Sequence, residues 1–450
     1  VSPVGTNELC PPELKCLKGG FMVFIFKDAK KKRNASDSVE STVRHILGAV
    51  KTAGDDAVLD YTETFDGYRP PSIRVEAKSI KEAYSKIDTE TMESLRFAAR
   101  RIEDFAQRQR ESLKELRYEI SPGVVLGHRL IPIASCGCYV PAGRYPLPSS
   151  ALMSIIPARV AGVKRIAAAS PASRGFDGDS GGIHPAVLAA MDLAGADEVY
   201  CMGGAQAIGA FAYGTQSVVP VDIIVGPGNQ YVTEAKRQVS GASAGNTRGV
   251  GIDMLAGPSE AVIIADESTD PGWIAADALS RCEHDPNSWS ILLLTSAALA
   301  QAVAAEIEKQ LKTLETAELA GQTWENNGKI LVVESLDEAV ALSDSIAPEH
   351  LQVMTADSAG AASQLSNFGS LFIGRCAPVP FGDYVSGPNH ILPTSGCARF
   401  SNGLNVNTFI KVSTFQEISA EGGKFLASHC ARLAETEGLY GHRRSAELRK

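Results

Sequence analysis

A chain of 450 residues, 44% hydrophobic and 21% charged, is long enough to hold two or more domains and a large core. Its net charge of −9 and pI near 5.5 argue against nucleic acid, which needs a clustered basic surface, so small molecules are the expected partners. Nine scattered cysteines fit a reducing compartment, and Cys136-Gly137-Cys138 has neither CxxC redox spacing nor a second pair to build a zinc ribbon.

Residues 1–40 give little to read. The apolar run from Phe21 to Phe26 and the mostly basic stretch from Lys27 to Arg33 are too short for a bilayer span or a signal core, so no membrane association is expected. The chain opens on Val1 rather than Met, so the expected cytoplasmic location leaves room for an organelle-targeting segment ahead of it. Asn34-Ala35-Ser36 matches a glycosylation sequon, a pattern common by chance. Next, Val39, Val43, Ile46, Leu47 and Val50 fall at helical spacing and predict an amphipathic helix over 38–52 that Gly54 ends. A short helix over 57–61 follows, then helices between 79 and 116 whose charged outer faces read as solvated surface.

Beyond Ser121-Pro122-Gly123 the texture becomes alternating. Strands are expected over 124–132, 163–169, 198–202 and 221–225, helices over 148–160, 185–193 and 205–213, and a glycine-rich surface loop over 173–182. That is the βαβ rhythm of a parallel sheet covered on both faces. Its strands end at Gly203-Gly204 and Gly226-Pro227-Gly228-Asn229, the carboxyl edge where open α/β sheets bind ligands. Neither cluster is a GxGxxG fingerprint, so a classical Rossmann dinucleotide site is not supported. The second cluster reads equally as a tight turn or as a cofactor edge with Asn229 as donor. A further α/β stretch has strands over 261–265 and 291–295 around a helix over 273–282, which leads into His284; a structural histidine and a ligand are both open there.

Ala347-Pro348-Glu349-His350-Leu351 follows a helix-like run over 336–345. A carboxylate that activates water beside an imidazole that passes protons is an acid/base pair in outline, although a chance pair on a solvated helix end has the same sequence. Three further polar stretches accompany it. They are Ser280-Arg281-Cys282-Glu283-His284-Asp285, Phe381-Gly382-Asp383-Tyr384 running on to Gly387-Pro388-Asn389-His390, and Glu437-Gly438-Leu439-Tyr440-Gly441-His442. Their histidines and aspartates suit zinc or a similar divalent ion, at spacings too long for a zinc finger but compatible with a site built from distant segments.

Taken in order, Val140-Pro141-Ala142-Gly143, Gly203-Gly204-Ala205-Gln206, Gly226-Pro227-Gly228-Asn229, Ala256-Gly257-Pro258-Ser259-Glu260, Glu283-His284, Pro348-Glu349-His350, Gly382-Asp383-Tyr384 and Glu437-Gly438-Leu439 with His442 resemble histidinol dehydrogenase from about residue 40 to the end. The resemblance implies an NAD- and zinc-dependent enzyme, one zinc per subunit, that oxidises the amino alcohol L-histidinol through L-histidinal to L-histidine, the last step of histidine biosynthesis. It implies His350 as base, Glu349 as activator of water, and His284, Asp383 and His442 as metal ligands. Tyr139, Gln206 and Asn229 become NAD contacts; Ser259, His390 and Glu437, together with His284, His350, Asp383 and His442, line the substrate. It also implies a homodimer of intertwined subunits in which the last segment serves the partner's site.

The fold expected is α/β, with two interlocked parallel-sheet, incomplete Rossmann-like domains and small helical terminal segments. One domain would comprise 41–134 and 258–397, the second, NAD-binding, 135–257; 398–450 would be a C-terminal helical segment with a helix over 422–435. One position departs from the resemblance. Where the family usually has a glutamine ligand, this chain has Arg281, and a guanidinium has no lone pair to offer a metal. About 6 Å from a Zn²⁺ it would be repelled by roughly 5 kcal/mol at an effective dielectric of about 20. It must turn away, meet an anion or replace the metal. Three readings follow: a histidinol dehydrogenase with a three-ligand zinc, a paralogue in which Arg281 grips an anionic primary alcohol such as a sulfonated diol, or a metal-free, non-catalytic binding protein.

Overall fold

The computed structural model describes residues 13–16, 22–30, 37–142, 145–173, 181–241 and 249–450. The sequon at Asn34 and most of the expected loop over 173–182 lie outside them. Among the described residues no helix is long and apolar enough to cross a membrane.

Two parallel sheets organise the chain. The first contains, in spatial order, Glu198–Cys201, Arg165–Ser170, Ser135–Tyr139, Ile223–Val225 and Gly251–Ile252, all parallel. Its first strand in the chain is central, the next two lie to one side and the last two to the other, so the order reverses between Ser135–Tyr139 and Ile223–Val225. These two strands are buried along their whole length, as helices on both faces require. The second sheet repeats the same winding with Glu260–Ala265 in the centre, Trp289–Leu294 and Lys329–Val332 on one side, and His350–Met354 and Ser370–Ile373 on the other. The apolar run near the start of the chain becomes the strand Met22–Lys27, which pairs antiparallel with Lys329–Val332 and extends that sheet with Glu13–Cys16.

The helices Asp37–Ala53, Asp55–Asp66, Ala77–Ser85 and Thr89–Ser112 do not join the second sheet, as the grouping of 41–134 with 258–397 supposes. Val43, Ile46, Leu47 and Val50 pack with Tyr139, Ala167 and Ile208, while Leu95, Ala98 and Ile102 pack with Cys136, Leu152 and Ile155, all in the cores of the first sheet. Periodicity marks which face of a helix is apolar, not which sheet will cover it. The strand Val124–Pro132 likewise stays out of the parallel sheets, pairing antiparallel with Leu116–Ser121 and with Ile410–Ile418. The C-terminal segment is therefore not wholly helical: this strand leads into the helices Ala420–Thr436 and Tyr440–Glu447.

Candidate active site

The helix Leu336–Ile346 stops at Ala347, held at φ 52 and ψ 64 in the left-handed region that residues with a Cβ rarely enter. Such a conformation costs of order 1–3 kcal/mol, and here it turns the chain sharply into Pro348 and the strand His350–Met354. Glu349 and His350 are thereby buried, 7% and 2% exposed, rather than solvated at a helix end. They lie at the amino edge of the second sheet, beside Ser259 and Glu260 at the start of the central strand. The helix Pro271–Cys282, started by Pro271 and capped by Asp270, follows that strand and returns to the same edge, bringing Arg281 and His284 with it.

The polar contacts at this edge form one network. Glu349 Oε2 accepts from the Ser259 hydroxyl at 2.9 Å and from the Glu260 amide at 2.7 Å, and lies 3.3 Å from His350 Nδ1. His350 Nδ1 is 3.2 Å from the Glu260 carbonyl oxygen and Nε2 is 3.2 Å from Asp383 Oδ1. Arg281, 3% exposed, donates from Nη1 to Ser259 Oγ at 2.7 Å and from Nη2 to Asp383 Oδ2 at 3.0 Å. His390 closes the far side: its Nδ1 donates to the Asp383 backbone carbonyl at 2.7 Å and its Nε2 is 3.2 Å from the hydroxyl of Ser150, on the helix Pro148–Ala161 of the first unit. Ser150 was not singled out from sequence, because a serine in an apolar helix carries no local sign of its distant partner.

Proton affinities follow from this packing. Burial and the Arg281 charge both push the His350 imidazole down, but Glu349 and Asp383 on either side outweigh them and bring it up to about 9. Burial pushes the Asp383 carboxyl up, and the Arg281 and His350 cations more than reverse this, holding it well below the usual carboxylate range. Glu349 is lowered too: desolvation opposes, His350 and then Arg281 prevail. His284, although open to solvent, is pushed down to about 4 by partial loss of hydration and then by Arg281. At neutral pH the buried group thus balances two anions with two cations. It can hold a proton on His350 and a full charge on Glu349 while excluding bulk water.

The histidinol dehydrogenase family model matches residues 29–450. The chain belongs to the histidinol dehydrogenase family. It is 45% identical over 418 residues to histidinol dehydrogenase 1 of Nostoc sp. (strain PCC 7120), covering 93% of this chain and 94% of that one. It is also 45% identical over 420 residues to histidinol dehydrogenase of Agrobacterium fabrum, covering 93% and 94%. The crystal structure of histidinol dehydrogenase from Elizabethkingia anophelis superposes with a TM-score of 0.86 at 36% identity, covering 94% of both chains. The chain is thus an enzyme, an oxidoreductase of the histidinol dehydrogenase family with its α/β fold.

Of the positions that the family resemblance marks, Ser259, Arg281, Glu349, His350, Asp383 and His390 come together, with His284 at the open side. Glu437 and His442 do not join them: both are exposed on the C-terminal helical pair, which packs on itself and on the strand Ile410–Ile418. Among the described residues, no three His, Cys, Asp or Glu side chains are gathered to hold a metal ion. The residues present do not fit the zinc that the family implies. Asp383 already gives Oδ2 to Arg281 and Oδ1 to His350. A zinc about 2.0–2.2 Å from either oxygen would meet the guanidinium at about 5 Å, a repulsion of about 7 kcal/mol at an effective dielectric of about 20. Arg281 has met an anion, and that anion is the expected metal ligand.

The positions expected to contact NAD lie at the carboxyl edge of the first sheet, where its strand order reverses. Tyr139 ends the central strand, and its hydroxyl accepts from the Gly204 amide at 3.1 Å; burial pushes this phenol up to about 12. Gly226, at φ 117, approaches Tyr139 so closely that a Cβ would stand 2.0 Å from its carbonyl oxygen. The turn beyond is pinned by the buried pair Lys236 and Asp253, whose Nζ and Oδ2 bond the Gly226 carbonyl and amide at 2.9 and 2.8 Å. Asn229 spends its Oδ1 capping the helix Gln230–Val239, which leaves its amide nitrogen as donor. Gln206, 1% exposed, has neither its amide oxygen nor its nitrogen bonded. A buried amide without partners costs about 1–3 kcal/mol, and a cofactor that supplied them would recover it. These residues fit a dinucleotide.

Proposed function

We propose that this chain oxidises L-histidinol, a primary amino alcohol, through the aldehyde to L-histidine, with NAD as oxidant. The observation that carries the reading is the buried pair Glu349 and His350, one residue apart and 3.3 Å between carboxylate and imidazole, in a member of the histidinol dehydrogenase family. Tyr139, Gln206 and Asn229 would hold NAD, which would supply the hydride acceptor for each of two oxidations. His350 serves as base. Its neutral tautomer keeps Nδ1–H on the Glu260 carbonyl and leaves the Nε2 lone pair, on the Asp383 side, to take the alcohol proton while the hydride leaves from carbon. Glu349 then removes a proton from water as it adds to the aldehyde, and His350 deprotonates the hydrate for the second hydride loss. The balance is one alcohol and one water converted to one carboxylic acid, with two NAD reduced.

His390 is assigned to the imidazole or ammonium group of the substrate; its bonds to Ser150 and to the Asp383 carbonyl fix the ring. Glu437 and His442 reach the site from a second copy: the arm that bears them exposes Val412, Phe425, Leu433 and Leu448, an apolar face that a homodimer would bury. Arg281 is matched to Asp383 and Ser259, which weighs against its gripping an anionic alcohol. The test is NADH formation on L-histidinol by the purified full chain. His350→Asn is expected to lose both oxidations and Glu349→Gln chiefly the second; equal turnover in either variant would remove its assigned role.

A further inference from the structure

We infer that Arg281 takes the place of the metal: its guanidinium is a built-in cation that orders the two carboxylates of the site, and the enzyme holds no zinc there. Three observations lead to it. First, the guanidinium lies on Asp383 Oδ2 at 3.0 Å, and its other arm reaches Glu349 through the Ser259 hydroxyl, which accepts from Nη1 at 2.7 Å and donates to Glu349 at 2.9 Å. One planar fork thereby fixes both carboxylates, a geometry that a guanidinium offers and an ammonium does not. Second, the pair is sealed, with the Arg281 side chain 4% and the Asp383 side chain 10% exposed, so solvent does not loosen it. Third, both Asp383 oxygens already face donors, one the Arg281 guanidinium and one the His350 ring, so a divalent ion on either oxygen would stand beside a fixed positive charge.

A cation that cannot dissociate changes what the site does. A metal holds a substrate by coordinating its amine and ring nitrogen, whereas a guanidinium offers only donors. Amine and imidazole must therefore be held by acceptors such as the carboxylates, through hydrogen bonds. Chelators have nothing to remove.

Metal content decides the matter, whatever the substrate proves to be. The full chain is produced in zinc-supplemented medium, desalted into chelator-free buffer and analysed for metals by mass spectrometry, alongside Arg281→Gln. Thermal unfolding of both is then followed with and without added zinc chloride. Wild type is expected to carry zinc far below one per subunit and to unfold at the same temperature with or without it. Arg281→Gln, which restores a neutral side chain with a lone pair, is expected to take up close to one zinc per subunit and to be stabilised by several degrees. Stoichiometric zinc in the wild type would overturn the inference even if the variant failed to fold. A folded Arg281→Gln protein as empty as the wild type would overturn Arg281 as the replacing group. Neither result depends on turnover, so a failure of L-histidinol as substrate would be read separately.

Discussion

Arg281 and Asp383 are a buried ion pair: Nη2 donates to Oδ2 at 3.0 Å, with Oδ1 of the same carboxylate 3.2 Å from His350. The pair places a fixed positive charge beside the proposed base, His350, and the proposed water-activating carboxylate, Glu349.

Breaking that pair from one side should be costly. Arg281→Met leaves a buried carboxylate and Asp383→Leu a buried guanidinium, and each is expected to lose about 3–5 kcal/mol of unfolding free energy. The double variant, with both charges gone, should lose far less than the sum. Denaturant unfolding of the four proteins measures this; additive losses would mean that the two side chains do not act on one another.

The acidity of His350 sets a pH profile. Free imidazole titrates near 6.5, and in the fold the ring is raised to about 9. As a base it works unprotonated, so kcat/KM should climb as pH rises toward 9 and level off above. Stability runs the other way. A group whose folded pKa is raised contributes fully below its unfolded value of about 6.5, and the contribution fades as pH passes about 9. Asp383→Asn, which removes one of the carboxylates responsible, should move the kinetic limb to lower pH. A limb that stays in place would disconnect Asp383 from the base.

Gln206 carries a different signature. Its side-chain amide is buried with no partner, so Gln206→Leu should stabilise the cofactor-free protein by about 1 kcal/mol. The same change should raise KM for NAD about tenfold, the equivalent of about 1.4 kcal/mol. Thermal unfolding without NAD and initial rates with it separate the two effects. Loss of stability would show that the amide has a structural partner instead.

Ser259 links cation to carboxylate, accepting from Arg281 and donating to Glu349. Ser259→Ala leaves both charged groups one hydrogen bond short, which should cost about 1–3 kcal/mol of stability. The second oxidation should slow more than the first, so that aldehyde accumulates. Product analysis by chromatography checks this, and equal slowing of both steps would place Ser259 on the alcohol rather than on the water-activating side.

Much of the fold was legible in the sequence because buried parallel strands are short apolar runs bounded by glycine and proline. The helix expected over 148–160 is Pro148–Ala161, and the strand over 261–265 is Glu260–Ala265. What failed was assignment between sheets. Val43 and Leu95 sit on correctly expected apolar faces, yet nothing local says that the first sheet covers them. In the site, Glu349 and His350 were visible as an adjacent carboxylate and imidazole, Asp383 as part of an accompanying polar stretch, and Arg281 as a departure from a family pattern. The outcome for Arg281 was not legible, since the sequence leaves it a choice between turning away and pairing, and only the fold brings Asp383 to it from 102 residues along the chain. Ser150, which meets His390, and Asp253, which pins the Gly226 turn with Lys236, were hidden for the same reason.

One end-point titration bears most directly on the proposed activity. The full chain is given limiting L-histidinol and excess NAD, the reaction is run to completion, and NADH and product are counted. Two NADH and one L-histidine per L-histidinol are expected. One NADH with aldehyde left over, or no NADH at all while the protein is folded, would contradict a four-electron oxidation of this alcohol by Glu349 and His350.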